Sequence, residues 1–581
     1  MDKNTQLEVL QSFFARNWFF YSLGVFLLIV VDLLQLGIPR LIGQAVDGFL
    51  LPGADAWRPL RWLLLLTVLI ALVRYLYREC IMGTTRRLEY YLRQRLFFHA
   101  LRLPLSYYDV QGPGKLMALM TNDITAVRVA VGLGTMLFVD AIIMGFASVA
   151  VMAASINAEL TWRSVLPLPV VLAAASLLGR TIHKRFRAVQ EKFSELTEFS
   201  QEIFSGSRVI KGFAAEKTFI DRFSALSEEN VKTNMVLART QAVYIPLTHI
   251  APLACYVAAL YNGGKMMMDG IVTVGEFTAF TGYLGLIIWP IMGIGFLMNI
   301  VQRGSASLYR ISSLLAEPLY ETELPEQDLA EKFSVSVPTI EFRHLTFYYP
   351  QMDVPALQNI SLSIPAGSTV GIVGRTGSGK STLLKLLLRL YDPPVNSIFI
   401  NDTEIHAIDH QRLRESTGYV AQDSMLFSRT IGENIAFDKE YSFGEIQAAA
   451  KMAVVKETID TRTDGFATVL GEKGRRLSGG QQQRVSVARA LIKQPGLLLL
   501  DDIFAALDYR TQVELMANMN KFIAGRTSLV VSQRVAAVKD ADFIVVMENG
   551  TIVEQGSHQE LIEKKGAYYS LYEQQIVDGT L

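Results

Sequence analysis

Apolar residues fall into two regimes along this chain, and the change comes near residue 300. Before it, six stretches near 18–38, 60–82, 131–155, 163–182, 244–268 and 274–300 are each long enough to cross roughly 30 Å of hydrocarbon as a helix. After the second and fourth stretches the apolar residues thin to a helical period: Leu88, Leu92 and Leu96, then Phe186, Val189, Phe193 and Leu196. The spacing predicts spans that continue as helices into water. Turn chemistry interrupts each loop, at Tyr108 to Gly114 and between Gly206 and Gly212. Short crosswise helices are expected at the bottom of both loops.

Charge orients this pattern. The two long loops collect Arg86, Arg87, Arg93, Arg95, Arg102, Lys115, Arg180, Lys184, Arg185 and Arg187, as cytoplasmic loops do. The connections near 39–58, 156–162 and 269–273 are short and poor in positive charge, which makes them the outward side and leaves both termini cytoplasmic. Trp18, Trp57, Trp62 and Trp162 fall at span ends, where interfacial anchoring is their ordinary role. No cleavable signal peptide is expected, because the first apolar run is too extended for one. Asp32, Arg74, Arg78, Glu79, Asp140 and His249 lie at or near membrane depth. Intramembrane ionisable groups are functional candidates, although ion pairs with the arginines, or packing for His249, account for them at least as well.

Beyond the sixth span, Ala316-Glu317-Pro318 opens an acidic linker. Short β-rich runs then alternate with helical ones, as in an α/β domain. The expected division is a membrane domain over 1–316, a linker over 317–338 and a soluble domain over 339–581. Lys and Arg total 55, as do Asp and Glu, so global charge gives no reason to expect a nucleic-acid partner. Cys80 and Cys255 both sit in apolar segments and read as small hydrophobes rather than a disulfide or metal framework.

The soluble domain carries the chemistry. Gly374-Arg375-Thr376-Gly377-Ser378-Gly379-Lys380-Ser381 follows an apolar strand and opens an apolar helix, the setting of a phosphate-binding loop. Its glycines let backbone N–H groups approach phosphates, Lys380 reaches the β and γ oxygens, and Ser381 reaches Mg²⁺. Thr382 follows on the same helix start. Leu497-Leu498-Leu499-Leu500-Asp501-Asp502 is an apolar strand ending in a metal-holding Asp501, after which the next carboxylate orients the attacking water. Leu477-Ser478-Gly479-Gly480-Gln481 offers a second anion cradle at a helix start. One nucleotide per domain leaves one cradle too many, so the second is expected to face a nucleotide held by another chain.

Together these motifs resemble a half-transporter of the ABC exporter superfamily over nearly the whole length. The resemblance implies six transmembrane helices extended into the cytoplasm, followed by a nucleotide-binding domain with a RecA-like core and a helical subdomain. It implies ATP and Mg²⁺ as ligands, with Tyr349 stacking on adenine, Gln422 linking Mg²⁺ to the helical subdomain, and Ser381 and Asp501 completing the metal site. By the same resemblance Glu472 contacts the membrane-domain loops, Ala505-Ala506-Leu507-Asp508 crosses to the opposite site, and Gly114 to Asp123 and Gly206 to Glu216 are coupling regions.

Two departures fall in one ATP site. Asp502 stands where the family carries Glu, and Gln533 where it carries a switch His. Asp is shorter by roughly 1.5 Å, and a displacement of about 1 Å at a reacting centre can cost on the order of a hundredfold. Gln can donate a hydrogen bond but cannot carry imidazolium charge. The expectation is a half with weak hydrolysis of its own, whose Ser478, Gly479, Gly480 and Gln481 complete the site of a second half bearing Glu and His. The pair would export amphipathic, drug-like or lipid-like compounds across a bacterial inner membrane. A homodimer, or a regulatory ATP-binding subunit that gates a partner, are the alternatives.

Overall fold

The computed structural model describes residues 3–50, 55–319, 337–350, 352–437, 439–471, 474–504 and 507–577; within these, the side chains of 3–8, 170–172, 174–176, 245, 247–249, 251, 288–292 and 294 are not described. His249 is therefore outside the described side chains, and Glu472, Ala505, Ala506 and most of the linker lie outside the described residues. The chain divides into two compact units, Met1–Leu101 with Gly114–Glu317, and Arg102–Pro113 with Pro318–Leu581.

The first unit is helical. Its elements are α1 (Lys3–Gln35), α2 (Gly37–Leu50) and α3 (Trp57–Leu101), then, after α4 (Leu105–Val110) of the other unit, α5 (Pro113–Ala118), α6 (Ile124–Val129), α7 (Thr135–Ser155), α8 (Ala158–Val165), α9 (Pro167–Ser205), α10 (Ser207–Gly212), α11 (Glu216–Met268) and α12 (Val274–Leu315). Two π-helical stretches, Leu119–Asp123 and Ala130–Gly134, join α5, α6 and α7 into one run. Among the described residues, Val9–Leu50, Trp57–Leu101 and Pro113–Ser155 are long and apolar enough to cross a bilayer. Helices α9, α11 and α12 supply the other three long runs.

Breaks in these helices are satisfied by side chains, as an apolar surrounding demands. At the Leu36 break the carbonyl accepts a hydrogen bond from the buried Tyr283 hydroxyl at 2.8 Å. At the second π stretch, Tyr21 donates to the Val131 carbonyl at 2.8 Å. Asp47 accepts from the Gly275 backbone N–H and the Thr273 hydroxyl, both at 2.7 Å, and so helps cap α12. Asp32, 2 % exposed, faces Asp140 with Arg74 close by, an internal cluster of the kind expected for charges at that depth.

One expectation needs correction, and the first loop is resolved in more detail. The region 39–58 is not simply a connection, because α2 carries the helix on to Leu50. Pro39 sits in the first turn of α2, where a missing N–H costs nothing, so it marks a helix restart rather than an end. In the first loop the short helix is α4, which ends before Gly112, and Gly114 to Asp123 lies in α5 and the first π stretch. Pro104 at the N-cap starts α4, and Pro113 starts α5; the break narrows to Gln111 and Gly112. In the second loop, α10 falls inside Gly206 to Glu216 as expected. Leu88, Leu92 and Leu96 are fully buried, whereas Phe186 and Phe193 are exposed.

The second unit contains β1 (Ile340–Phe347), β2 (Leu357–Ile364), β3 (Thr369–Val373), β4 (Ile398–Ile400), β5 (Thr403–Glu404), β6 (Thr417–Val420), β7 (Leu497–Asp501), β8 (Thr527–Ser532), β9 (Phe543–Glu548) and β10 (Thr551–Gly556). Its helices are α4 and α13 (Lys380–Leu387), α14 (His410–Ser416), α15 (Ile431–Ala436), α16 (Phe443–Met452), α17 (Lys456–Asp460), α18 (Gly479–Leu491), α19 (Tyr509–Ile523), α20 (His558–Lys564) and α21 (Ala567–Val577). One sheet runs β2-β1-β4-β5 and is antiparallel; the other runs β10-β9-β3-β8-β7-β6, with β9, β3, β8, β7 and β6 parallel.

The parallel sheet is buried on both faces, which explains its unbroken apolar strands. Leu498 and Leu500 of β7, Val530 of β8 and Val546 of β9 enter one core with the helices α15 to α19. Leu497 and Leu499, Leu529 and Val531, and Val545 enter the other with α13 and the antiparallel sheet. Parallel strands of this kind gather functional groups at their C-terminal ends, and β3, β7 and β8 end together.

Candidate functional site

The carboxyl end of β3 feeds Gly374 to Gly379 and then α13. Gly374, Gly377 and Gly379 have φ of +155°, +84° and +96°, values that side-chain-bearing residues rarely adopt. A Cβ on Gly374 would meet the Met547 carbonyl, and one on Gly379 would lie 2.7 Å from the Ala356 carbonyl. Lys380, 7 % exposed, bends back across the loop and donates to the carbonyls of Gly374 at 2.8 Å and Arg375 at 2.7 Å. Burial holds its ammonium below the usual range, against the opposing pull of Asp502 and Asp501.

At the end of β7, Asp501 accepts a hydrogen bond from the Ser381 hydroxyl at 2.9 Å. Burial pushes the Asp501 carboxyl above its usual range, with the Ser381 bond opposing and the Asp502 charge adding to the rise. Asp502 has φ +48°, a left-handed conformation that costs a non-glycine residue about 1–3 kcal/mol. Its neighbours hold it there. The Asp502 N–H donates to the Val531 carbonyl at 2.8 Å, its carboxyl accepts from Ser532 at 3.3 Å, and its carbonyl accepts from Gln483 at 3.2 Å. The side chain is 5 % exposed. Gln533, exposed beyond β8, accepts from the Thr376 hydroxyl at 3.1 Å.

These groups meet in one cavity of about 290 Å³, lined among others by Tyr349, Gly377, Gly379, Lys380, Ser381, Thr382, Gln422, Asp501, Asp502 and Gln533. The Tyr349 hydroxyl is 3.1 Å from that of Thr382, and the Lys385 ammonium is 5.9 Å from the centre of the Tyr349 ring. Among the described residues no group of three or more His, Cys, Asp or Glu is arranged to hold a metal by itself. A hydroxyl beside a carboxylate, with an amide oxygen available from Gln422, fits Mg²⁺, which binds through few protein oxygens and is otherwise held by water and substrate phosphates.

The signature segment is built separately. Ser478 caps α18: its hydroxyl accepts from the Gln481 N–H at 3.4 Å, while the Gln481 side chain accepts from the Ser478 N–H at 3.1 Å. This capping box leaves the N–H groups of the first helical turn, from Gly479 and Gly480, without an intrahelical partner. Ser478 and Gly479 are exposed, and none of the four signature residues lines the 290 Å³ cavity. The motif residues named from sequence thus form two separate groups. Two of their supports, Gln483 and Ser532, carry no motif signal, because each acts through a contact with a residue distant in sequence.

A membrane-embedded helical domain joined to an α/β domain with a phosphate loop defines an ATP-dependent transport protein. The family model described as the ABC transporter transmembrane region matches residues 21–291, and that described as ABC transporter matches 357–505. The chain is 36 % identical over 577 residues to a probable multidrug resistance ABC transporter ATP-binding/permease protein, YheI, of Bacillus subtilis, covering 98 % of this chain and 97 % of that one. It is 35 % identical over 574 residues to the multidrug resistance-like ATP-binding protein MdlA of Escherichia coli, covering 98 % and 96 %. It is 32 % identical over 542 residues to an ATP-dependent lipid A-core flippase of Yersinia pestis, covering 91 % and 90 %. The fold matches that of a bacterial Atm1-family ABC exporter with ATP bound, at TM-score 0.77 and 24 % identity over 96 % of this chain and 99 % of that one. The chain belongs to the ABC transporter family as a half-transporter, an ATPase-coupled membrane protein of exporter architecture.

Proposed function

We propose that this chain is one half of a heterodimeric exporter that moves amphipathic compounds, drug-like or lipid-like, out of the bacterial cytoplasm or inner leaflet, with both termini on the cytoplasmic side. The observation that carries this reading is that Asp502 and Gln533 both line the cavity with Lys380, Ser381 and Asp501, while the capped signature at Ser478 lies apart from it. Both departures from the family pattern sit in the site this chain would build, and its intact signature is free to serve another.

The residues gathered in the cavity support the following roles. Lys380 and the 374–379 backbone would hold the β and γ phosphates, Tyr349 would stack on adenine, and Ser381, Asp501 and Gln422 would hold Mg²⁺, which when bound would neutralise phosphate charge. Asp502 is one methylene shorter than the Glu of the family pattern, and with its carboxyl bonded to Ser532 it would orient an attacking water poorly. Gln533 offers an amide in place of a cation. Nucleotide is retained here and turned over slowly. Ser478, Gly479 and Gly480 supply a hydroxyl and N–H groups to phosphates in the second half's site, where hydrolysis resets the transporter. Relatives named for multidrug resistance and for lipid A-core flipping support an amphipathic cargo.

The test is to purify the tagged chain from its native membrane in mild detergent and identify co-purifying proteins by mass. A stoichiometric second half with Glu and His at the positions matching Asp502 and Gln533 is expected. Recovery of a dimer of this chain alone would overturn the heterodimer.

A further inference from the structure

The segment Arg102–Pro113 belongs to the unit that contains the nucleotide cavity, yet it is covalently continuous with α3 before it and α5 after it. Within it, Asp109 on α4 accepts a hydrogen bond from the Tyr391 hydroxyl. Tyr391 is 6 % exposed and follows α13, the helix that the phosphate loop opens. Its ring meets that of Tyr349 edge-on, with centroids 5.0 Å apart and planes at 90°, and meets Phe347 at 6.2 Å. Phe347 in turn lies edge-on to Tyr349 at 5.2 Å. Three aromatic rings therefore form one wall, with Tyr349 at the cavity and Tyr391 at α4. Burial, then the Asp109 hydrogen bond and charge, push the Tyr391 phenol well above its usual range, so it stays a donor at every physiological pH.

We propose that Tyr391 is a positioning residue that ties α4 to the base-side wall of the nucleotide cavity, so that occupancy of the cavity is transmitted to α4 through one tyrosine–carboxylate hydrogen bond. The proposal rests on the reading that Tyr349 faces the nucleotide base. A base stacked on Tyr349 restricts that ring. The perpendicular Tyr391 ring then loses room to swing, and its hydroxyl is held where Asp109 accepts it. A neutral donor on a buried ring serving a carboxylate makes a charge-assisted bond. Bonds to charged groups are strong enough to shift a local equilibrium about tenfold.

Hydrogen exchange of residues 102–113 in the full transporter, with and without Mg-ATP, reads this directly. The wild-type segment is expected to gain about tenfold protection with ATP. Tyr391→Phe keeps the ring packing but removes the donor, and Asp109→Ala removes the acceptor; each should abolish the ATP-dependent gain when measured at saturating Mg-ATP. Asp109→Asn, which keeps an acceptor, should restore part of it. The double variant should respond no worse than either single, because both remove one bond. A purely structural role would instead raise exchange equally with and without ATP, and that result, or additive losses in the double variant, would overturn the proposal. Wild-type protein that binds ATP without protecting the segment would also overturn it. Wild-type protein that binds no ATP would defeat the reading of the cavity itself.

Discussion

The phosphate loop and the signature segment are both anion cradles at helix starts, but they are finished differently. The loop at 374–381 is closed: its glycines take positive φ values, Lys380 is tucked against its own carbonyls, and Asp501 and Asp502 stand opposite. The signature at 478–481 is open. It has a capped helix start and exposed Ser478 and Gly479, but no residue of it reaches the cavity where the cation and carboxylates gather. A cradle with its counter-charges in place can hold a ligand alone. A cradle without them fits the proposal that another chain supplies the rest of its site.

That contrast can be strained most strongly at Lys380. Lys380→Ala removes the cation from the closed cradle and should weaken nucleotide binding at this chain's site by about ten- to a hundredfold, the worth of charge-assisted bonds to phosphate. Photo-crosslinking of labelled ATP to this chain and to its partner, resolved by mass, would show the loss confined to this chain. Equal loss at both would merge the two cradles into one function.

A smaller effect is expected at Asp501. Its carboxyl is held above the usual range chiefly by burial, so its ionised form opposes folding. An acid with a raised folded pKa gives its full contribution below the unfolded value and loses it as pH rises through the folded one. Asp501→Asn should therefore raise the Tm of the nucleotide-free protein by a few degrees at pH 7.5, and the gain should shrink as pH falls towards 4. The same variant should lose the further rise that Mg-ATP gives wild type. A fall in Tm without nucleotide would mean that the Ser381 bond outweighs the burial cost.

Much of the closed cradle was legible in the sequence because its parts are contiguous: Gly374 to Ser381 on one loop, and Leu497 to Asp502 on one strand. Alternate burial of Leu497 to Leu500 on two faces likewise follows from an unbroken apolar run. What could not be read were pairings across long separations. Thr376 meets Gln533, Gln483 and Ser532 grip Asp502, and Tyr391 meets Asp109; nothing in the local sequence marks these partners. In the first loop the expected break over Tyr108 to Gly114 holds but narrows to Gln111 and Gly112, because Pro104 and Pro113 set the helix starts on either side.

The most direct measurement is steady-state ATP turnover of the full transporter carrying either Gly480→Asp or Asp502→Ala in this chain. An acidic side chain in the open cradle would repel phosphate, so Gly480→Asp should cut turnover by on the order of a hundredfold, comparable to losing an electrostatic contact in a reacting site. Asp502→Ala should change it by less than about twofold if, as proposed, this chain's own site contributes little to turnover. The reverse pattern, with turnover lost in Asp502→Ala and kept in Gly480→Asp, would contradict the division of labour between the two cradles.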